Sequence, residues 1–250
     1  MSDATHASIQ QDGRVFLSAE WRDLVMLNYE AEPGLLRKYV PRGTELDSFE
    51  GRTYVSLVGF RFLNAKLFGF ASVPFHANFD EVNLRFYMRR REGKEDCRGV
   101  VFIREIVPKR AIARVARLVY GENYVRCPMT HKTSSTKETK TVEYSWIVDG
   151  KWCKLYATGD GAAQRPAEGS VEQFITEHYW GYTARRGGAT LEYHVSHMPW
   201  NVWSCSRAGF IGNADSLYGP ALSETLCRPP DSAFVADGSS VNVYAGRQID

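Results

Sequence analysis

The stretch at residues 78–89, Asn-Phe-Asp-Glu-Val-Asn-Leu-Arg-Phe-Tyr-Met-Arg, constrains what this chain can fold into more than any other. In an extended chain Val82, Leu84, Phe86 and Met88 fall on one side, and Glu81, Asn83, Arg85, Tyr87 and Arg89 on the other. A helix would scatter both sets around its surface, so the stretch reads as a strand. Its polar face has two open destinations. Inside a closed sheet it would build a pocket with a carboxylate able to move protons and an arginine able to hold an anion. Facing water, it would be an ordinary amphipathic strand with Arg85 paired to Glu81.

The rest of the chain is also rich in strand signals. Residues 22–31, 53–63, 99–106, 191–197 and 201–206 read as strands, as do 143–148 and 151–158 flanking the hairpin dipeptide Asp149-Gly150. Pro33 opens a short helix over 33–39, stopped by Pro41. A second helix is expected over 110–120 with Gly121 as its stop, a third begins at the capping pattern Ser170…Gln173, and a short one lies near Ala221. The polar run 130–141 reads as a mobile hairpin. Many strands with a few short helices imply a strand-dominated α+β fold. Residues 1–13 read as a disordered lead-in and 14–250 as a single domain.

Composition excludes several classes of function. The formal net charge of +2, from 31 basic and 29 acidic residues, does not suit a nucleic-acid surface. The run Arg89-Arg90-Arg91 is followed by Glu92, Glu95 and Asp96 and reads as a solvated hairpin tip. No stretch reaches the ~20 apolar residues of a membrane helix, and the polar start of the chain lacks a signal-peptide core, so a cytoplasmic protein is expected. Five cysteines without a Cys-x-x-Cys motif read as free thiols. His194 and His197 are an odd number of positions apart on one strand and point to opposite faces, so no metal is expected. Glycine-rich phosphate loops and the Gly-x-Ser-x-Gly elbow are absent, and no cofactor is expected.

Two levels of resemblance carry the reading further. Trp21-Arg22-Asp23-Leu24 running to Tyr29, then Glu32-Pro33, Leu36-Arg37 and Val40-Pro41, resembles the start of acetoacetate decarboxylases; Phe79-Asp80-Glu81 is similar to the segment carrying their catalytic glutamate. The segment Arg117-Leu-Val-Tyr-Gly-Glu-Asn-Tyr124-Val125 resembles their helix-to-strand corner, where a lysine seven residues after the arginine forms a Schiff base. Here that position is Tyr124, and a phenol cannot form an imine. Pro108-Lys109-Arg110 mimics the lysine motif locally but precedes the helix instead of following it, leaving Lys109 a remote substitute. The closer resemblance is to an uncharacterised bacterial family, the YqjF-like proteins. It rests on Glu81-Val-Asn-Leu-Arg-Phe-Tyr87, Arg98-Gly-Val-Val-Phe-Ile-Arg-Glu-Ile-Val-Pro108, Glu177-His-Tyr-Trp-Gly-Tyr182, and Tyr193-His-Val-Ser-His197 with Trp200.

The resemblance implies a closed or cone-shaped mixed or antiparallel β-barrel with a few short helices, and a small-molecule ligand. Glu81 and Tyr124 are the expected catalytic groups; Arg22, Arg85, Asn83, Tyr87, Arg117 and His178 are the expected substrate-binding groups. The expected chemistry is acid–base work on a small carboxylate or carbonyl metabolite without an imine. A non-catalytic metabolite-binding or sensing protein, and a purely structural role, stay open, as does homo-oligomerisation.

Overall fold

The computed structural model describes residues 13–72, 76–93, 95–110, 112, 121–185 and 187–249. The lead-in up to residue 12, nearly all of the helix expected over 110–120, and Arg117 with it lie outside the described residues. The strands are β1 (Val15–Glu30), β2 (Glu45–Leu46), β3 (Tyr54–Leu67), β4 (Ala71–Ser72), β5 (Phe79–Glu92), β6 (Glu95–Val107) and β7 (Tyr124–Arg126) in the first half. The second half adds β8 (Met129–Ser135), β9 (Thr139–Val148), β10 (Lys151–Asp160), β11 (Trp180–Ala184), β12 (Thr190–His197), β13 (Val202–Ile211), β14 (Ser232–Tyr244) and β15 (Arg247–Ile249).

Seven of these close on themselves in the order β1, β3, β5, β6, β11, β12, β14 and back to β1. Only the β6–β11 step is parallel, so the structure is a closed mixed barrel. Closure leaves those strands no free edge. From β14 the strands β13, β10, β9 and β8 run on as a second layer. That layer lies close against β3. A Cβ at Gly59 would stand 2.6 Å from Tyr144 Cδ2 and 2.8 Å from Leu155 Cδ2. A side chain there would push the two layers apart.

Two interiors result. Between the layers, Val25, Leu27, Leu57, Leu84 and Phe86 pack with Tyr144, Trp146 and Leu155. Full burial of each such side chain contributes roughly 1.5–3 kcal/mol. Within the barrel, Leu24, Val58, Phe60, Phe62, Val100 and Trp200 form a second cluster. β5 is therefore buried on both faces, and its alternation separates an interlayer core from a polar lumen rather than core from water.

Helices are short and peripheral: Pro33–Leu36 continuing as a 3-10 turn Arg37–Tyr39, Val171–Thr176, Asp215–Tyr218 and Pro220–Cys227. Ser170 caps the second, its Oγ accepting from the Gln173 amide at 3.2 Å, while Gln173 Oε1 accepts from the Gly169 amide at 2.8 Å. Asp149 and Gly150 both take positive φ, 49° and 75°, as a two-residue hairpin turn requires. The run 130–141 differs from expectation. It is built from β8 and the start of β9, with only a tight turn between; residues 132–138 are exposed at the edge of the second layer, while His131 contacts Asp80 and Lys140 donates to Asp23. Among the described residues no helix is long and apolar enough to cross a membrane. All five cysteines are free thiols.

Candidate active site in the barrel lumen

One face of β5 points Glu81, Asn83 and Arg85 into a cavity of about 190 Å³ inside the barrel. Its walls are largely aromatic and aliphatic, with Trp21, Phe60, Phe62, Phe102 and Trp200 among them. Glu81 Oε1 accepts from Asn83 Nδ2 at 3.0 Å, and Glu81 Oε2 accepts from the Tyr124 hydroxyl at 3.1 Å. Tyr124 reaches this point because β7 pairs in parallel with the end of β6, setting it beside Glu105.

Two further carboxyls complete the group. Glu105, cross-strand neighbour of Asn83, and Glu122, two residues before Tyr124, line the same cavity. Relative exposures are 2% for Glu81 and Asn83, 1% for Glu105 and 8% for Glu122, which puts all four out of bulk water. Glu122 accepts from the Tyr193 hydroxyl. The Tyr193 ring lies against β11 at Gly181, where a Cβ would collide with it, so only glycine permits that approach.

Burial dominates the electrostatics, because three carboxyls share a site that disfavours charge. Burial pushes Glu81 up to about 8, with a further rise from the charge of Glu122 and partial relief from the Asn83 and Tyr124 bonds. Burial raises Glu122 to about 7, opposed by its bonds from Tyr193 and Glu105. Glu105 is raised well above the carboxylate range by burial and by the charges of Glu122 and Glu81. Because the three lie together, the proton held by each depends on the charge of the others. Burial likewise holds the Tyr124 phenol in its protonated form.

Arg85 carries the fixed positive charge among the described lining residues. It donates to the Ile175 carbonyl at 3.3 Å, and its Nε has no hydrogen-bond partner among the described residues. His178 also lines the cavity, 3.5 Å from Asp47 Oδ2, and among the described residues neither ring nitrogen meets a well-formed hydrogen-bond partner. Burial drives its pKa down to about 4, so the ring is neutral at pH 7. His197 stacks on Trp200 in the same cavity, its centroid 4.5 Å away, whereas His194 packs on Trp180 and Tyr244. The opposite facing of those two histidines follows the alternation of β12. No group of three or more His, Cys, Asp or Glu side chains among the described residues is arranged to hold a metal ion.

Two expected residues lie elsewhere. Arg22 points away from the lumen, 39% exposed, and donates to Glu20 Oε2 at 2.7 Å. The reason is phase: Trp21 takes the inward position, Asp23 absorbs a residue in a left-handed conformation (φ 55°), and Leu24 is the next to face the cavity. Tyr87 is buried on the lumen side but outside the cavity lining, its hydroxyl bonded to Ser56 Oγ at 2.5 Å in a chain running on to Asn28. Lys109 donates to the Asn78 carbonyl, and no lysine is among the described residues lining the cavity.

Glu105, Glu122 and Tyr193 were not expected from the sequence. Glu122 had a usable signal, since it shares parity with Tyr124 two positions on. Glu105 did not. The register of β6 against β5 slips between Arg104 and Phe102, and that bulge turns Glu105 onto the face of Val100 and Phe102 despite the odd spacing.

A mixed seven-stranded barrel with a carboxylate-bearing lumen defines an acetoacetate decarboxylase-like scaffold, and comparison of folds agrees. The acetoacetate decarboxylase of Legionella pneumophila is similar with a TM-score of 0.65 at 13% identity, covering 94% of this chain and 87% of that one. The enduracididine biosynthesis enzyme MppR, in complex with pyruvate, gives 0.65 at 13% identity over 99% of this chain and 95% of its own. In sequence, the uncharacterized protein YqjF of Bacillus subtilis (strain 168) is 24% identical over 222 residues, 86% of each chain. The chain belongs to the DUF2071 family of uncharacterized conserved proteins, which it matches over residues 18–240.

Proposed function

We propose that the barrel lumen binds a small keto or carboxylate metabolite and that Glu81 moves a proton at the carbon beside its carbonyl, with no imine. The observation that carries this reading is the Glu81–Tyr124 pair: a carboxyl raised to about 8 and bonded to a phenol inside the barrel cavity. A group exchanging its proton near working pH suits general acid–base work. Arg85, four residues on along the same face, supplies the charge for a carboxylate or for the oxyanion of an enolate. In the step proposed, the C–H bond breaks, its proton goes to the ionised Glu81, and the electron pair moves onto the carbonyl oxygen. Return of the proton completes exchange. The cavity of about 190 Å³ exceeds the ~150 Å³ that accommodates benzene, which sets the ligand at a handful of non-hydrogen atoms. That a similar fold is found with pyruvate supports the same class of ligand.

The test is deuterium exchange into pyruvate and acetoacetate, followed by proton NMR in D2O. Wild type should accelerate exchange over buffer, and Glu81→Gln should lose about 10²–10⁴-fold of that rate, the usual worth of a general base. Exchange no faster than buffer, or undiminished in Glu81→Gln, would count against the assignment. A second reading, a binding protein without turnover, is favoured by both Glu81 oxygens already being engaged, by Asn83 and Tyr124. It expects saturable binding of the same acids with no exchange.

A further inference from the structure

The proton-transfer step uses Glu81, Tyr124 and Arg85 and leaves the rest of the carboxyl group without a task. Three acidic side chains buried in one cavity need a counter-charge, a proton, or a ligand that brings one. The causes shifting Glu81, Glu105 and Glu122 include no cation among the described residues. The open hydrogen-bonding positions point the same way. Asn83 is committed through Nδ2 to Glu81, which leaves its Oδ1 buried in the lumen without a partner among the described residues. Glu105 Oε2, beside it across the strands, is also buried and has no hydrogen-bond partner among the described residues. Both are acceptors. Toward the far end of the same β5 face the open position is a donor, Arg85 Nε. The lumen thus carries open acceptors and an open donor two positions apart on one strand face, between walls that include Phe60 and Phe62.

We propose that Asn83, Glu105 and Glu122 form a subsite for a basic nitrogen, so that the ligand class is a small ω-amino or similarly basic carboxylic acid with its carboxylate toward Arg85. This rests on the reading of Arg85 as the carboxylate anchor and adds the opposite pole. An ammonium or amidinium group offers several N–H donors to the acceptors that lack them, and charge-assisted bonds of this kind are the strong ones. Its arrival favours the ionised carboxyls, so binding near pH 7 releases protons to the buffer. The groups that face this subsite are Glu81 on β5, Glu105 on β6, Glu122 and Tyr124 from the following segment, and Tyr193 on β12, and the carboxyls are the ones that release the protons.

The experiment is calorimetric titration of the full chain with 5-aminopentanoate, pentanoate and pentylamine, in two buffers of different ionisation enthalpy. The proposal expects 5-aminopentanoate to bind about tenfold or more tighter than pentanoate, with proton release seen only for the amines. In Glu105→Gln and Glu122→Gln, checked for folding by thermal denaturation, that preference should shrink toward parity while pentanoate binding persists. Pentanoate binding as well as 5-aminopentanoate overturns the basic-nitrogen subsite and leaves the carboxylate anchor standing. Pentylamine binding as well as 5-aminopentanoate, with pentanoate silent, keeps the subsite and overturns the anchor. Binding by none of the three overturns both.

Discussion

Tyr124, which the sequence resemblance matches to the imine-forming lysine of the decarboxylases, donates to Glu81 across the lumen, and a phenol cannot form an imine with a ketone. Incubation with pyruvate or acetoacetate and borohydride should therefore leave the intact mass unchanged; a stoichiometric adduct on any lysine would refute the imine-free chemistry. At this scale the sequence was informative where a side chain's direction follows from simple alternation. Glu81, Asn83 and Arg85 are two apart on one strand and enter the lumen together. Arg22 was matched by type and not by phase, and the left-handed Asp23 that sets the phase is not visible in the residue string. Glu105 was hidden for the same kind of reason, a one-residue slip that reverses parity.

Elements position the site through close approaches that composition does not reveal. β11 carries Gly181 under the ring of Tyr193, and this lets the phenol reach Glu122. Gly181→Ala should displace that ring and cost about 1–3 kcal/mol of stability by overpacking, measured by urea denaturation. It should also weaken carboxylate-ligand binding more than a substitution in the second layer of equal ΔΔG. Equal stability to wild type would mean that the ring relocates freely and that Gly181 has no role in holding it. The strands were largely legible because apolar and polar residues alternate along them. The edge strand β8 was not, since a strand exposed on most of its length has the composition of a loop.

At the scale of the molecule, the closed barrel followed from resemblance and strand content, whereas the second layer on its outer face did not, because an apolar strand face does not say what covers it. The buried carboxyls tie stability to pH. Their folded pKa values lie above the ordinary 4.5, so between about pH 4.5 and about pH 8 these carboxyls hold more protons in the folded chain than in the unfolded one, and the stability they contribute falls as pH rises through that window. His178, held near 4, acts oppositely below about pH 6.5. Melting temperature should drop from about pH 6.5 to about pH 8, and less steeply in a Glu81→Gln/Glu122→Gln variant; parallel curves would contradict the coupling. The most direct measurement is a titration of the glutamate side-chain carbons by carbon-13 NMR, with Glu81→Gln to assign the signal. The expected result is a Glu81 carboxyl that titrates near 8, well above an ordinary carboxylate. A Glu81 signal titrating near 4.5 would mean that the lumen carboxyl is fully ionised at neutral pH, and the proton-transfer role assigned to it would not stand.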